Sequence, residues 1–295
     1  MKILGIGNAI VDVICKVDNN FIEQNNLTKS TMKLFFDEKE FKKLLTDLKI
    51  EKTISGGSVA NSIVGLSQLG NKVGFIGKVS DDEFGSKYEE GLKKENVKYF
   101  YSKKKEALPT GTCLVLVTPD SERTMCTFLG TAGKINKDDV NTDAIKQSEI
   151  IFLEGYLWDE GDPKKAFDKA INNANKVAMS LSDLFCVERH KKQFLNLVNN
   201  KLDIIFGNEQ EFLSLISSSS FNDVITFSKS INKNVIVTRG KEGSVAIKND
   251  DVFECPANKN LKLIDLTGAG DLFAAGYLHG VINNMSIMES LKKGT

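Results

Sequence analysis

The chain has 295 residues, of which 41% are hydrophobic, and its 39 basic and 39 acidic residues give a net charge of zero. This length can bury a complete core, which indicates one large α/β domain with at most a small appendage. A neutral chain has no global field to attract nucleic acid or an anionic membrane, so bound phosphate must be held by a local site.

Cysteine usage and hydropathy indicate a cytoplasmic protein. The five cysteines include no Cys-x-x-Cys pair, and their odd number argues for reduced thiols and against a disulfide framework or a structural zinc site. Polar Asn8 and Asp12 interrupt the apolar N-terminus, which therefore predicts a buried strand and not a signal peptide. No segment approaches the ~20 apolar residues that span a bilayer.

The first strand is predicted at residues 2–7 and leads to two polar residues. Gly5-x-Gly7 begins like a dinucleotide fingerprint, but Ile10 replaces the third glycine and no helix opens there, so a Rossmann dehydrogenase is excluded. Asp12 suits a ligand with neighbouring hydroxyls, because a carboxylate accepts two hydrogen bonds at once. The alternative for Asp12 is an acid in a turn.

From Val13 to about Lys52 the alternation of strands and helices is lost. Extended segments are predicted at 13–17 and 32–36, and helices at 20–25 and 38–48. A second irregular insert runs from 98 to 130. Within it, the apolar segments 111–117 and 123–129 flank a turn at 119–121 and predict a β-hairpin.

A glycine pair precedes a predicted helix between these two inserts. Ser58 is the expected N-cap, and Gly70 ends the helix. Gly57 would let the backbone touch a ligand. Asn61, on the first turn, both donates and accepts hydrogen bonds, as a ligand with several hydroxyls requires.

After Gly130 the alternation becomes regular. The predicted strands are 149–154, 177–181, 203–206, 235–238 and 244–247, and the predicted helices are 138–146, 163–174, 187–199, 209–216 and 221–231. This order predicts a doubly wound, mostly parallel sheet with helices on both faces. Ligands then bind at the carboxyl ends of the strands.

Two short motifs follow such strands. Asn208 and Glu211 come after the apolar segment 204–207, where a helix-capping pair is the alternative to a ligand site. The segment 238–244 joins two strands and has the composition of an ordinary glycine-containing hairpin.

A glycine-rich turn opens a helix near the end of the sequence. It follows the predicted strand 261–264, and Gly268 and Gly270 leave the first amides of the helix open to an anion. A carboxylate such as Asp271 repels phosphate, but it can remove the proton from a hydroxyl that attacks a phosphoryl group. The alternative is an acid that only complements the helix dipole.

Both glycine motifs match signatures of one enzyme family. Asp265-x-Thr267-Gly268-Ala269-Gly270-Asp271-x-Phe273, together with Gly56-Gly57 and Asn61, resembles the two signatures of the PfkB (ribokinase-like) carbohydrate and nucleoside kinases. The resemblance covers essentially the whole chain and implies an enzyme that uses ATP and Mg²⁺ to phosphorylate a primary hydroxyl. Leu266 departs from the usual polar residue of the signature. Relatives generally continue past Thr295 through another helix, which helps to wall the adenine pocket.

The resemblance implies a role for each matching residue. Asn8, Asp12, Gly56, Gly57 and Asn61 are expected to bind the acceptor, Asp271 to act as the base, Gly268, Ala269 and Gly270 to form the anion hole, and Arg123 to reach the transferred phosphate. Thr238, Gly240, Gly243 and Thr267 are expected to bind ATP, with Asn208 and Glu211 near Mg²⁺ through water. The alternative for Arg123 is an exposed charge at the edge of the sheet.

The resemblance further implies a small β-sheet lid over the acceptor, which excludes water from the reaction. The expected lid comprises residues 13–52 and 98–130, and the large domain comprises residues 1–12, 53–97 and 131–295. The expected assembly is a monomer or a homodimer through the lid.

The expected acceptor is a nucleoside, adenosine in particular. Pro109–Cys113 resembles the adenosine kinases of the family, and the expected lid surface at Ile10, Phe35, Phe36 and 113–117 is apolar enough for a purine. The alternatives are a free-sugar kinase of the ribokinase or fructokinase type, and a non-catalytic binding protein.

Overall fold

The structure is a computed structural model that describes residues 1–158, 161–258 and 267–295. The strands within these ranges are β1 Ile3–Ile6, β2 Ile10–Lys16, β3 Met32–Phe35, β4 Ile50–Gly56, β5 Val73–Ile76, β6 Lys98–Tyr99, β7 Gly111–Val117, β8 Arg123–Phe128, β9 Ile150–Glu154, β10 Val177–Ser180, β11 Ile204–Asn208, β12 Asn234–Thr238, β13 Ser244–Lys248 and β14 Asp251–Cys255. The α-helices are α1 Asn19–Gln24, α2 Glu38–Thr46, α3 Ser58–Gln68, α4 Glu83–Lys94, α5 Thr142–Lys146, α6 Asp162–Asn173, α7 Leu184–Asn200, α8 Glu209–Ile216, α9 Phe221–Ile231, α10 Ala269–Ile282 and α11 Ile287–Gly294.

The large sheet has nine strands in the order β14-β13-β12-β11-β10-β9-β1-β5-β6. Its strands from β12 to β6 pair in parallel, and β13 and β14 are antiparallel. Every residue of β1, β5 and β9 is buried, because helices cover both faces of the sheet. The predicted doubly wound, mostly parallel sheet is confirmed, and the carboxyl ends of its strands share one edge.

The small sheet has five strands in the order β3-β8-β7-β2-β4. Burial alternates along β2 and β8, as it does when the two faces of a sheet have different surroundings. On one face, Phe41 of α2 packs against Phe35 and Phe128, with ring centroids 5.8 and 5.5 Å apart. The opposite face carries Asp12.

The expectation that Phe35 faces the acceptor is wrong. Phe35 pairs with Phe128 in the register of β3 and β8, so both rings lie on the face that α2 covers. Phe36 follows the strand and is 87% exposed. Leu34 precedes Phe35 and lies on the opposite face of the sheet, the one that carries Asp12, because side chains alternate along a strand.

Two strands cross the predicted limits of the lid. β4 pairs with β2 in the small sheet, although residues 53–56 were expected in the large domain. β6 pairs with β5 in the large sheet, although it was expected in the lid. β4 is an edge strand with mostly exposed residues, so its sequence lacks the apolar run of a buried strand. The division into two domains stays a prediction.

Other predicted elements differ less. The helix expected at 138–146 is a 3₁₀ turn at Lys137–Asp139 followed by α5, because Asn141 accepts a hydrogen bond from the Ala144 amide and caps a new helix. The strand expected at 261–264 lies outside the described residues. No helix in the described part of the chain combines the length and the apolar character needed to cross a membrane.

Packing on the small-sheet face that α2 covers yields a stability prediction. Phe41→Ala should lower the free energy of unfolding by roughly 3–5 kcal/mol, because it leaves a cavity between Phe35 and Phe128. Phe36→Ala, at an 87% exposed position, is the matched control and should change it by less than ~0.5 kcal/mol. Urea unfolding of both variants measures the difference, and equal effects would contradict the packing described above.

Candidate active site

The N-terminus of α10 has the features of an anion-binding site. Gly268 is its N-cap in the left-handed conformation, with φ of 74°, and this torsion turns the chain into the helix. Among the described residues, beyond the two neighbours of Gly270 and the backbone of α10 itself, no atom lies within 4 Å of where a Cβ on Gly270 would stand, and Ala269 and Gly270 are both exposed. Free amides at the positive end of a helix dipole suit a phosphate group.

The carboxylate of Asp271 is held by the first turn of α3. Ser58 Oγ donates to Oδ1 at 2.7 Å, and Asn61 Nδ2 donates to Oδ2 at 3.0 Å. Burial raises the pKa of Asp271, and these two hydrogen bonds lower it. The structure therefore brings together the base and one acceptor residue that the sequence predicted from separate motifs.

The expectation that Ser58 caps α3 is wrong. The N-cap is Gly57, whose φ of 101° is open to glycine but strained for other residues, and the N-cap residue itself therefore offers no side chain to the helix. A Cβ on Gly57 would collide with the carbonyl oxygen of Asn8, and a Cβ on Gly56 would collide with the Asp12 carboxylate. Both glycines thus let the chain pass directly against predicted acceptor residues.

Asp12 lies on β2, on the face of the small sheet that looks toward α10. Burial and the nearby charge of Asp271 together raise the pKa of Asp12 to about 6, against the lowering effect of Arg123 on β8. These mutual effects show that the two carboxylates and the guanidinium group share one electrostatic environment. Arg123 thus lies near Asp12, and its role toward the transferred phosphate stays a prediction.

Sequence reasoning missed Glu154 at the end of β9. This side chain is 1% exposed, and its two oxygens accept hydrogen bonds from the backbone amides of Asn8 at 2.9 Å and Val59 at 3.0 Å. Burial and the nearby charge of Asp271 together raise the pKa of Glu154 to about 7, against the lowering effect of the hydrogen bonds from Asn8 and Val59. An acid directly after the apolar run 150–153 was the available signal, since ligands bind at the carboxyl ends of such strands.

Asn8 lies beside this carboxylate and is 2% exposed. Its Oδ1 is buried and finds no hydrogen-bond donor in the part of the chain that the structure describes. A buried acceptor without a donor is costly in a folded protein, so a ligand hydroxyl is its natural partner.

Asn208 and Glu211 form a capping box at the start of α8. Asn208 Oδ1 accepts from the Glu211 amide at 2.9 Å, and Glu211 Oε2 accepts from the Asn208 amide at 3.0 Å. The capping alternative is thus what the structure contains. Burial and the nearby charge of Asp183, the N-cap of α7, together raise the pKa of Glu211 to about 7, against the lowering effect of its hydrogen bonds with Asn208.

The remaining predicted nucleotide residues lie along the same edge of the sheet. Thr238 pairs with Asn208 on one side and with Ser244 on the other. Gly240 and Gly243 have φ of 55° and 96° in the turn that follows, and Thr267 adjoins the N-cap of α10. A single edge therefore carries the residues predicted to bind ATP.

Tyr156 connects this edge to the acceptor residues. Burial raises its pKa, and the charges of Asp183, Glu154 and Glu211 raise it as well, so the ring lies among all three carboxylates. Glu154 ends β9 and Asp183 follows β10, so the predicted acceptor residues and the predicted nucleotide residues lie along the same carboxyl edge of the large sheet.

The donor set fits magnesium and phosphate. No group of three or more His, Cys, Asp or Glu side chains within residues 1–158, 161–258 and 267–295 is arranged to hold a metal ion. Mg²⁺ typically keeps several waters and is bound by one or two carboxylates together with substrate phosphates. Glu211 and Asp183 offer such carboxylates, and the open amides of α10 offer the phosphate site.

The family is decided by a match over almost the whole sequence. Residues 3–295 match the family described as pfkB family carbohydrate kinase. The chain belongs to the PfkB family. The expected kinase activity and ribokinase-like fold are confirmed, and with them the expected ATP and Mg²⁺, since PfkB kinases use both.

Three relatives of this PfkB kinase illustrate the range of acceptors. The adenosine kinase of Sinorhizobium meliloti is 35% identical with a TM-score of 0.89, covering 99% of this chain and 91% of that one. A probable sugar kinase from Rhizobium etli is 33% identical, also with a TM-score of 0.89, covering 99% and 90%. The 5-dehydro-2-deoxygluconokinase of Clostridium perfringens is 30% identical over 278 residues, covering 88% of this chain and 81% of that protein. The roles of individual residues in this PfkB kinase stay predictions.

Glu154 yields a prediction on how stability depends on pH. Its pKa of about 7 in the folded protein lies above the ordinary 4.5, so the folded state holds this proton more tightly than the unfolded state. The stability that Glu154 contributes is therefore fully present at low pH and is lost as pH rises through about 7.

The Glu154→Gln variant cannot titrate at this position. Between pH 5 and 7 its free energy of unfolding should therefore fall less steeply with pH than that of the wild type, by a difference on the order of 1 kcal/mol per pH unit. The variant should also be less stable at pH 5, because glutamine has one oxygen for the two amides. Urea unfolding at several pH values measures both effects. Parallel pH dependences would contradict the assignment, and Asp12 and Glu211 should leave a residual slope of the same sign in the variant.

Proposed function

We propose that this PfkB kinase phosphorylates the 5′-hydroxyl of a nucleoside, with adenosine as the acceptor. The observation that carries this proposal is the composition of the small-sheet face around Asp12. A carboxylate for the ribose hydroxyls lies there within a largely apolar surface suited to a purine.

The strand register defines this acceptor face. Asp12 pairs with Cys113, which in turn pairs with Thr127, and Thr127 Oγ1 donates to Cys113 Sγ at 3.3 Å. The flanking positions Ile14, Val115 and Met125 occupy the same face two residues further along. A free hexose would leave these apolar side chains poorly matched, whereas the flat face of a purine would bury them.

Charge also favours a neutral acceptor. The charge of Asp271 raises the pKa values of both Asp12 and Glu154, so the acceptor side of the cleft disfavours added negative charge. A nucleoside is neutral, whereas a gluconate derivative carries a carboxylate. Arg123 offsets part of this charge, but its influence falls on Asp12.

In the proposed step, Asp271 accepts the proton of the acceptor hydroxyl as that oxygen bonds to the γ-phosphorus of ATP. The bond from this phosphorus to the β,γ-bridging oxygen breaks, and ADP leaves. The amides at Gly268, Ala269 and Gly270 stabilise the negative charge that develops on the phosphoryl oxygens. Arg123 reaches the same phosphoryl group from the small sheet.

The carboxyl edge of the large sheet is proposed to hold the rest of ATP. Thr238, Gly240, Gly243 and Thr267 contact the nucleotide in this proposal. Glu211 and Asn208 assist Mg²⁺ through water, a role that a capping box does not prevent because each carboxylate oxygen can accept a second hydrogen bond. The packing of α2 on the small-sheet face that carries Phe35 and Phe128 supports a monomer over a homodimer through that face.

A sugar kinase is the second candidate. The 5-dehydro-2-deoxygluconokinase of Clostridium perfringens is 30% identical to this chain, close to the 35% of the Sinorhizobium meliloti adenosine kinase. Under this alternative, Arg123 would bind the acceptor's carboxylate, and the apolar face would pack on the sugar backbone.

The role of Asp271 yields a kinetic prediction. Asp271→Asn should lower turnover by ~10²–10⁴-fold, because the variant removes a positioned general base. The fold should be retained, since the amide still accepts from Ser58 and Asn61 can rotate to accept in turn. Steady-state kinetics with a thermal-unfolding control measure this, and near-native turnover would remove Asp271 from the role of base.

The acceptor is tested by kinetics with matched substrates. With ATP and Mg²⁺, we expect kcat/KM for adenosine to exceed that for ribose, fructose and 5-dehydro-2-deoxygluconate by at least ~10²-fold, because the sugars leave the apolar face unfilled. A higher kcat/KM for any of the sugars would overturn the nucleoside assignment and leave the kinase activity intact.

A further inference from the structure

Ser58 contacts the predicted base but has no assigned role. Its hydroxyl donates to Asp271 Oδ1 at 2.7 Å across 213 residues of sequence. We propose that Ser58 is a positioning residue for Asp271, fixing its carboxylate so that a free lone pair faces the acceptor hydroxyl. The inference rests on the proposed role of Asp271 as the general base.

The carboxylate of Asp271 is fixed at both oxygens by one turn of helix. Ser58 and Asn61 are three residues apart on α3, so their side chains lie on the same helix face and each donates to a different oxygen. Two such bonds define the plane of the carboxylate. Each oxygen keeps a second lone pair, which remains available to accept the proton of a hydroxyl.

The two donors differ in what they do when the acceptor binds. Asn61 is proposed to bind acceptor hydroxyls, so its amide has competing partners in the complex. Ser58 has no such role, and its bond to Oδ1 is the restraint that persists during the reaction. The first turn of α3 is itself fixed, because the Val59 amide donates to the buried carboxylate of Glu154 at 3.0 Å.

A purely structural role for Ser58 is already filled by a neighbouring residue. Ser62 Oγ donates to the main-chain oxygen of Asp271 at 2.8 Å and joins α3 to α10 without touching the carboxylate. Ser62 is 1% exposed and lies one turn further along the same helix. Ser58 and Ser62 therefore contact the same residue with the same chemical group, one at the side chain and one at the backbone.

This pair supplies a matched experiment. Ser58→Ala and Ser62→Ala each delete one hydroxyl, and single-turnover rates with ATP, Mg²⁺ and a saturating acceptor are measured from pH 5 to 9. Among the residues that the structure describes, Asp12 on β2 and Glu154 on β9 are the titratable groups influenced by Asp271, and Arg123 on β8 acts on Asp12. Because all three remain in both variants, a difference between the profiles reports on the Asp271 carboxylate.

We expect Ser58→Ala to move the acid limb of the rate profile upward by ~1 pH unit, because the charged form of the base loses a donor. Its plateau rate should fall ~10-fold, while the KM of the acceptor changes less than ~3-fold, since the loss concerns orientation in the transition state. Ser62→Ala should leave the acid limb in place and lower the thermal stability instead.

An acid limb of Ser58→Ala that coincides with the wild-type limb would overturn the positioning role, as would an equal shift in Ser62→Ala. The proposed role of Asp271 as the general base fails by a different result, which is near-native turnover in Asp271→Asn. The two failures are thus distinguishable from the same set of three variants.

Discussion

The acceptor side of the cleft depends on a single buried carboxylate, that of Glu154. It lies at the end of a central strand and binds the backbone at two places, after β1 and at the start of α3. Local sequence alone does not fix the position of either segment. The segment after β1 lacks regular structure, and α3 begins at a glycine with φ of 101°. The burial that makes Glu154 expensive to ionise is also what makes its two hydrogen bonds strong.

The second half of the site follows from that placement. Once α3 is fixed, its first turn presents Ser58 and Asn61 to α10, and Asp271 lies where both can donate to it. The small sheet then brings Asp12 and Arg123 to the same place from the other side. Asp271 makes both Asp12 and Glu154 harder to ionise, so the cleft combines open amides for phosphate with carboxylates of raised pKa.

Local chemistry could be predicted from the sequence, and long-range register could not. The turn at Gly268 and the position of Asp271 follow from torsions and helix polarity, which a short motif encodes. The sheet face on which Phe35 lies depends on its pairing with Phe128, and no local sequence pattern determines which face α2 covers. Glu154 was missed because one acid after an apolar strand does not reveal that its partners are backbone amides from distant segments.

The distance along the chain between α3 and α10 also shapes how the protein is made. A ribosome releases the first turn of α3 more than 200 residues before it releases Asp271, since Ser58 and Asp271 are 213 positions apart. Until then the glycine-rich turn of α3 has no partner from α10, and loop closure of that length is slow and entropically costly. The catalytic cleft is therefore among the last parts of the molecule to form. A chain interrupted during synthesis is inactive even where its central strands have already paired.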